Sequence, residues 1–451
     1  MSAARRAASA TALAAVVGLA GCGGDSPLDS LKSVNPFKQE EQLLPGERRS
    51  VLIGNDPIAE TTNQPARIGA AVARSDWPQA AGNASNDSGN IAGSLSGGRV
   101  WSVRAGEAEG ASFGVGVSGI RVSARPVAAN GLVYVYDPAG NVSAHALANG
   151  GAAWRVNVRP QGETASVSGG GIAVDGGRVY AATGFREAVA LDAASGARAW
   201  TTRISAPARG APTAAAGKVF VVGQDGVVTA LEQATGEIAW TATTTARGAG
   251  LLASASPAVS GNTVVVPTTS GDILAFDVAT GKQSWGASVI GGSRQAAVTG
   301  LRDASASPVV SDGVVFATGV GGRTIAVALS NGETVWQQTI GGAHTPVVSG
   351  NAVFIVDLED RLVAFDRAGG SVLWATRLPT VGVSRANWAG PLLIGGRLWL
   401  VSADGTLVSA DAATGQVGQA GSIGVDGAIP PISAGGRLLA LGAGGTLVAI
   451  N

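Results

Sequence analysis

Apolar residues in this chain come in short runs, each stopped by a turn that carries glycine. Val219-Phe220-Val221-Val222 is followed by Asp225-Gly226, then by an apolar run to Leu231, then by Thr235-Gly236 and a stretch bearing Trp240. Runs of four or five residues rich in valine and bounded by turn residues predict strands, not helices. The same order recurs down the chain. An apolar pair, a polar turn with glycine and a tryptophan occupy residues 190–200, 230–240, 275–285 and 364–374, and in shorter form 146–154 and 328–336. A seventh copy, starting at Ala410, has lost its tryptophan and ends at Ala420. Tryptophans spaced about 40–50 residues apart match the length of a four-stranded propeller blade.

Each copy parses into four strands. A short first strand carries Pro126, Pro212, Pro257, Pro308, Pro346, Pro391 or Pro431, with Ile172 in that place in the second copy. Proline lacks an N–H and suits the start or edge of a strand, here one lining a central channel. Pairs such as Asn130-Gly131 and Gly395-Gly396 supply the positive φ of tight hairpins. The last copy reaches Asn451 after its third strand, while residues 97–103 look like a fourth strand without a blade. Joining them completes an eighth blade and removes an open edge. The eight outer positions are Trp101, Trp154, Trp200, Trp240, Trp285, Trp336, Trp374 and Ala420. The expected fold is therefore all-β: an eight-bladed propeller over residues 76–451, its last blade closed by an N-terminal strand. One tryptophan per copy at a fixed offset predicts packing between blades, where a large ring buries much area.

The amino terminus has a different character. Arg5 and Arg6 precede an alanine-rich apolar run over 7–20, which reads as a secretory signal covering residues 1–21. Leu19-Ala20-Gly21-Cys22 resembles the bacterial lipobox, so Cys22 is the expected site of lipidation and cleavage. Gly23 after it favours the outer membrane under lipoprotein sorting rules. Residues 22–75 are broken by Pro27, Pro36, Pro45, Pro57 and Pro65 and predict a lipidated tether. A coil of that length reaches on the order of 40 Å. Within it the apolar and charged stretch over 43–52 is a candidate docking peptide.

Composition narrows the functions. With 31 basic and 31 acidic residues the chain has no global field for nucleic acid. The 68 glycines show no Gly-X-Y period, which excludes collagen. A single cysteine excludes an intramolecular disulfide, a CxxC redox pair and a thiolate zinc site. The Gly-x-Gly-x-x-Gly match over 114–119 has no helix after it to hold a phosphate. His145 and His344, the two histidines, show no triad or metal spacing, and Asp357, Glu359 and Asp360 are too few for a calcium loop. Asp192, Asp277, Asp366 and Asp411 recur at one repeat position, which argues for work in turns. No catalytic, metal-binding or cofactor-binding residue is expected.

The unusual feature is a pair of loops before the first strands of neighbouring blades. They carry Leu251 and Leu252 in one, and Leu301, Arg302 and Asp303 in the other. Apolar residues beside charge on adjacent loops are what a protein-binding patch looks like. The alternative is that the leucines fold down to close the channel.

The Ala-Leu/Phe-Asp-x-x-x-Gly-x-x-x-Trp repeats resemble the quinoprotein-like (PQQ-like) propeller repeat. Together with the lipobox and the blade count, the chain is similar to the BamB family, lipoproteins of the outer-membrane β-barrel assembly machinery. Leu44-Pro45-Gly46-Glu47-Arg48 and Asp76-Trp77-Pro78-Gln79 resemble its alphaproteobacterial branch. The resemblance implies a non-enzymatic scaffold that binds periplasmic domains of the central, BamA-type barrel-inserting protein, with unfolded outer-membrane proteins as a further partner. It implies contacts through leucines, an arginine and aspartates of two neighbouring loops, falling by position on Leu251, Leu252 and Asp303, with Leu301 and Arg302 adjacent. Leu252 stands where the family has arginine, and Ser305 where it has a second acid. One alternative is a propeller that binds peptidoglycan or another periplasmic ligand. A quinoprotein dehydrogenase is the enzymatic alternative. The resemblance to those enzymes implies an adjacent cysteine pair, which a chain with Cys22 alone cannot supply.

Overall fold

A computed structural model describes residues 58–108, 120–245, 255–291, 303–380, 387–427 and 429–451. The apolar runs form strands because the second and third strands of each repeat are buried on both faces. Val219–Val222 and Val228–Leu231 are almost wholly enclosed, so these strands read as continuous apolar runs, not as alternation. The fourth strand alternates, with the tryptophan turned inward and its neighbours outward, as in Arg198–Arg203.

Eight four-stranded antiparallel sheets result, and they form the ring of an eight-bladed propeller. Blades 1 to 7 are consecutive in the chain, beginning with the first strands Val127–Ala129, Gly170–Asp175, Thr213–Ala215, Ala258–Ser260, Val309–Ser311, Val347–Ser349 and Ala389–Ile394. Blade 8 combines Ile432–Ala434, Arg437–Leu441 and Thr446–Ile450 with the early strand Arg99–Arg104. Ser102 faces Val448 and Arg104 faces Thr446 in that closing pair. The expected closure by an N-terminal strand is what the structure has. The prolines differ slightly from expectation. All but Pro391 and Ile172 stand just before the first strand, where a missing N–H leaves no ladder bond unmade.

The tryptophans lie between blades by one rule. Each ring faces an alanine across its own blade: Trp154 opposes Ala144, Trp240 opposes Ala230 and Trp374 opposes Ala364. A bulge follows that alanine and turns the strand. The indole then reaches the next blade. The Trp240 Nε1 donates to the Val278 carbonyl at 2.9 Å and Trp285 Nε1 to Leu329 at 2.8 Å. Six of the seven make this bond, and the buried Trp374 Nε1 is the exception. The ring lies on a glycine of the neighbouring blade's outer turn. At Gly281, with φ +71°, an added Cβ would sit 2.5 Å from the Trp240 ring.

The segment ahead of the ring is laid across it. Residues 58–75, expected as the end of a tether, bond to the blades instead. The Ala66 amide donates to Ala413, the Thr62 amide to Val372, and the Arg67 carbonyl accepts from Asn351. A proline-broken sequence need not be a loose one when its amides meet carbonyls of the ring. Trp77 pairs with Ala128 through two backbone bonds of 2.7 and 2.8 Å. The Pro78, Ala84 and Ser85 carbonyls accept from Val174, Val259 and Val310, and Ile91 bonds Leu393 and Gly395. Ser75 takes Gly435, and the Gln79 side chain takes Ala214. This strap therefore touches the inner part of all eight blades. It sits at the end carrying the hairpins between first and second strands, away from the loops that join blades.

Candidate interaction face and central channel

Leu251, Leu252, Leu301 and Arg302 lie outside the described residues, and so do the tether peptide over 43–52, Cys22 and the glycines over 114–119. What is described is the base of both loops. Each ends in the same five residues, Ala-Ser-Ala-Ser-Pro, before its blade's first strand. The two endings bond to each other, the Ser256 amide donating to Ser307 Oγ at 2.8 Å. Ala255, Ser256, Ala306 and Ser307 are all buried.

Asp303 differs from the exposed residue its place in a loop suggests. It is 0% exposed and ion-paired with Arg209, which is 3% exposed. Arg209 comes from the loop before blade 3. Its Nη1 donates to the Pro267 carbonyl at 2.9 Å and its Nη2 to Ala304 at 3.0 Å. Burial lowers the Arg209 pKa, with the Asp303 charge opposing. The pair thus ties the loops before blades 3 and 5 to the end of the second strand of blade 4. Asp303 holds its loop in place, and its carboxylate has no surface to offer a partner.

The second feature is the channel. Asn86, on the strap and 1% exposed, donates through Nδ2 toward the carbonyls of Ser256, Pro257 and Pro308, at 3.4, 3.2 and 2.9 Å. Trp77, Ala81, Asn86 and Ser88 then floor a cavity of about 20 Å³, ringed by Pro346, Pro391, Pro430 and Pro431. One basic side chain lines it, Arg125. Such a space fits a water or two and has no room for a ring-shaped cofactor. His344 stands close enough to feel the Arg125 charge. Burial first, and that charge second, lower its pKa to about 4, although a bond to the Trp388 carbonyl opposes. Sequence reasoning passed over Arg125 and read His344 as a residue without triad or metal spacing. The signal was Arg125 standing before the first-strand proline, where other blades have the small residues Ala211, Ser256, Ser307, Thr345 and Gly390.

The remaining candidates are accounted for locally. His145 is buried in the strand Asn141–Ala146, between the Gly150 carbonyl at 3.2 Å and Ser143 Oγ at 3.3 Å. Asp357 accepts from the Glu359 and Arg361 amides and from Arg361 Nε at 2.6 Å. Asp192 accepts from the Ser195 amide and hydroxyl, and Asp277 does the same with Thr280. These bonds lower both aspartates' pKa and fix the turns that receive the tryptophans. Among the described residues, no group of three His, Cys, Asp or Glu side chains could hold a metal ion.

A family model described as "Outer membrane protein assembly factor BamB" matches residues 138–376, more than half of the chain. The chain belongs to the BamB family. A BamB of Salmonella typhimurium (strain LT2) is 28% identical over 234 residues, covering 51% of this chain and 60% of the relative. That of Escherichia coli (strain K12) is 27% identical with the same coverage. The chain thus spans about 60% of the length of these BamB relatives. Among solved structures, BamB from Moraxella catarrhalis superposes with a TM-score of 0.64 at 21% identity, covering 78% of this chain and 98% of that one. Quinohemoprotein alcohol dehydrogenase from Comamonas testosteroni gives 0.62 at 18% identity, covering 84% and 81%. At these identities the two show a shared fold, and family membership rests on the repeats matched within 138–376.

Proposed function

We propose that this chain is a non-enzymatic scaffold of outer-membrane protein assembly. In this reading it is lipidated at Cys22 and held at the periplasmic face of the outer membrane. It binds the periplasmic domains of a BamA-type barrel-inserting protein and so aids insertion of β-barrel proteins, with unfolded barrel proteins as further clients. The observation that carries the reading is the BamB family match across the blade repeats. Function then falls to surface loops. The loops before blades 4 and 5 are the proposed contact, with Leu251, Leu252, Leu301 and Arg302 facing the partner and Asp303 anchoring from below.

The test is affinity purification of the tagged full chain from detergent-solubilised membranes, with mass spectrometry of what accompanies it. A large barrel protein with periplasmic repeat domains, recovered at near-equal amount, supports the scaffold. Recovery of peptidoglycan enzymes in its place overturns it. Leu252→Asp is expected to reduce that recovery at least tenfold while the unfolding midpoint stays unchanged. Normal recovery by this variant would move the contact to another face.

A further inference from the structure

Among the described residues Arg125 is a buried cation without a counter-ion. It is 9% exposed, its Nη1 donates to the Ala80 carbonyl at 3.2 Å, and its Nε has no partner. Desolvation alone acts on it, lowering its pKa to about 10, and no carboxylate opposes that effect. At neutral pH the guanidinium is nevertheless charged. Leaving such a charge unpaired in a buried site costs several kcal/mol, and proteins relieve this with a paired acid or a bound ion. The other buried arginine of the ring, Arg209, has its acid in Asp303. Arg125 has instead a cavity, with Ser88 and Thr345 on its wall.

We infer that the central channel holds one small monovalent anion, a halide or the carboxylate end of an organic acid, against the guanidinium of Arg125. The size of the cavity excludes a phosphate ester or a nucleotide. Hydroxyls of Ser88 and Thr345, both buried, can rotate to donate toward the anion. The strap forms the floor, so the anion would link residues 77–88 to the ring and stabilise the two as a unit. This inference rests on the fold and the channel and is independent of the assembly role.

The experiment uses the full chain at one fixed sodium concentration, with bromide, formate or gluconate as the anion; gluconate is too large for the cavity. Bromide or formate is expected to raise the thermal midpoint over gluconate by on the order of 2 °C, and Arg125→Met to abolish the difference. A response to bromide alone supports the inference and assigns the site to halide; a response to formate alone supports it and assigns it to a carboxylate. Crystals grown in bromide should show an anomalous peak within hydrogen-bonding distance of Arg125, a readout on the unmodified chain should the variant fail to fold. Equal midpoints in all three salts or an unchanged response in Arg125→Met would each overturn the inference, and so would the lack of that peak where bromide raises the midpoint.

Discussion

At the scale of single residues, the ring is a chain of tryptophan-on-glycine contacts. The alanine opening each repeat leaves room for the indole across the strand pair, and the turn glycine of the next blade accepts the ring. Gly281 meets both demands, a positive φ and space under Trp240. Trp240→Ala is expected to cost about 3–5 kcal/mol in urea unfolding. Gly281→Ala, one carbon larger, should also destabilise, by about 1–2 kcal/mol for the left-handed backbone alone. A neutral Gly281→Ala would remove the packing account. The same rule explains the copy without tryptophan. There Val417 pairs with Ala410 as Ile238 pairs with Leu231, so the register puts Gln419, not the expected Ala420, at the tryptophan position, and Ser409 stands where the other copies have alanine. The next blade also has no third-to-fourth-strand turn to offer a glycine, because its fourth strand, Arg99–Arg104, comes from the other part of the chain.

At the scale of elements, what matters is how loops and strap are tied to blades. Arg209 and Asp303 form a buried pair across blades 3 to 5. Removing one partner leaves a buried charge alone, so Asp303→Ala should cost about 3–5 kcal/mol. Replacing both, as Arg209→Met with Asp303→Leu, should recover much of that loss in the same urea titration. If the double variant is as unstable as the single, the cost lies elsewhere than in the stranded charge. Asn86 does similar work for the strap. Asn86→Ala removes the donor facing the Ser256, Pro257 and Pro308 carbonyls and should cost about 2 kcal/mol. Limited proteolysis would then show earlier cleavage within 58–92 than in the unmodified chain.

At the scale of the whole molecule, the channel makes stability depend on pH. His344 has a folded value of about 4 against an ordinary value near 6.5. The unfolded chain therefore binds its proton first as pH falls. Stability from this group is complete above about pH 6.5 and is lost progressively down to about pH 4, by on the order of 2 kcal/mol. Unfolding free energies measured across that window should slope in the unmodified chain and flatten in His344→Gln. An equal slope in both would assign the dependence to other groups. The eightfold ring also explains the low charge content. Blades bury their middle strands on both faces, so polar residues are confined to turns and outer strands.

Local pattern determined the strands, the repeat, the blade count and the closing strand at 99–104, because a period in apolar and turn residues is set by backbone geometry and burial that every copy shares. The recurring aspartates were legible as turn residues for the same reason. Residues 58–75 were not legible as part of the ring, since what orders them is hydrogen bonds to blades 6, 7 and 8 and no period of their own. Asp303 reads as a surface acid until Arg209, 94 residues away, is folded against it. Arg125 and His344 lie far apart in the chain and carry no motif. Only closure of the ring brings them close together, where burial and, among the described residues, the want of a neighbouring acid give an ordinary arginine its chemistry.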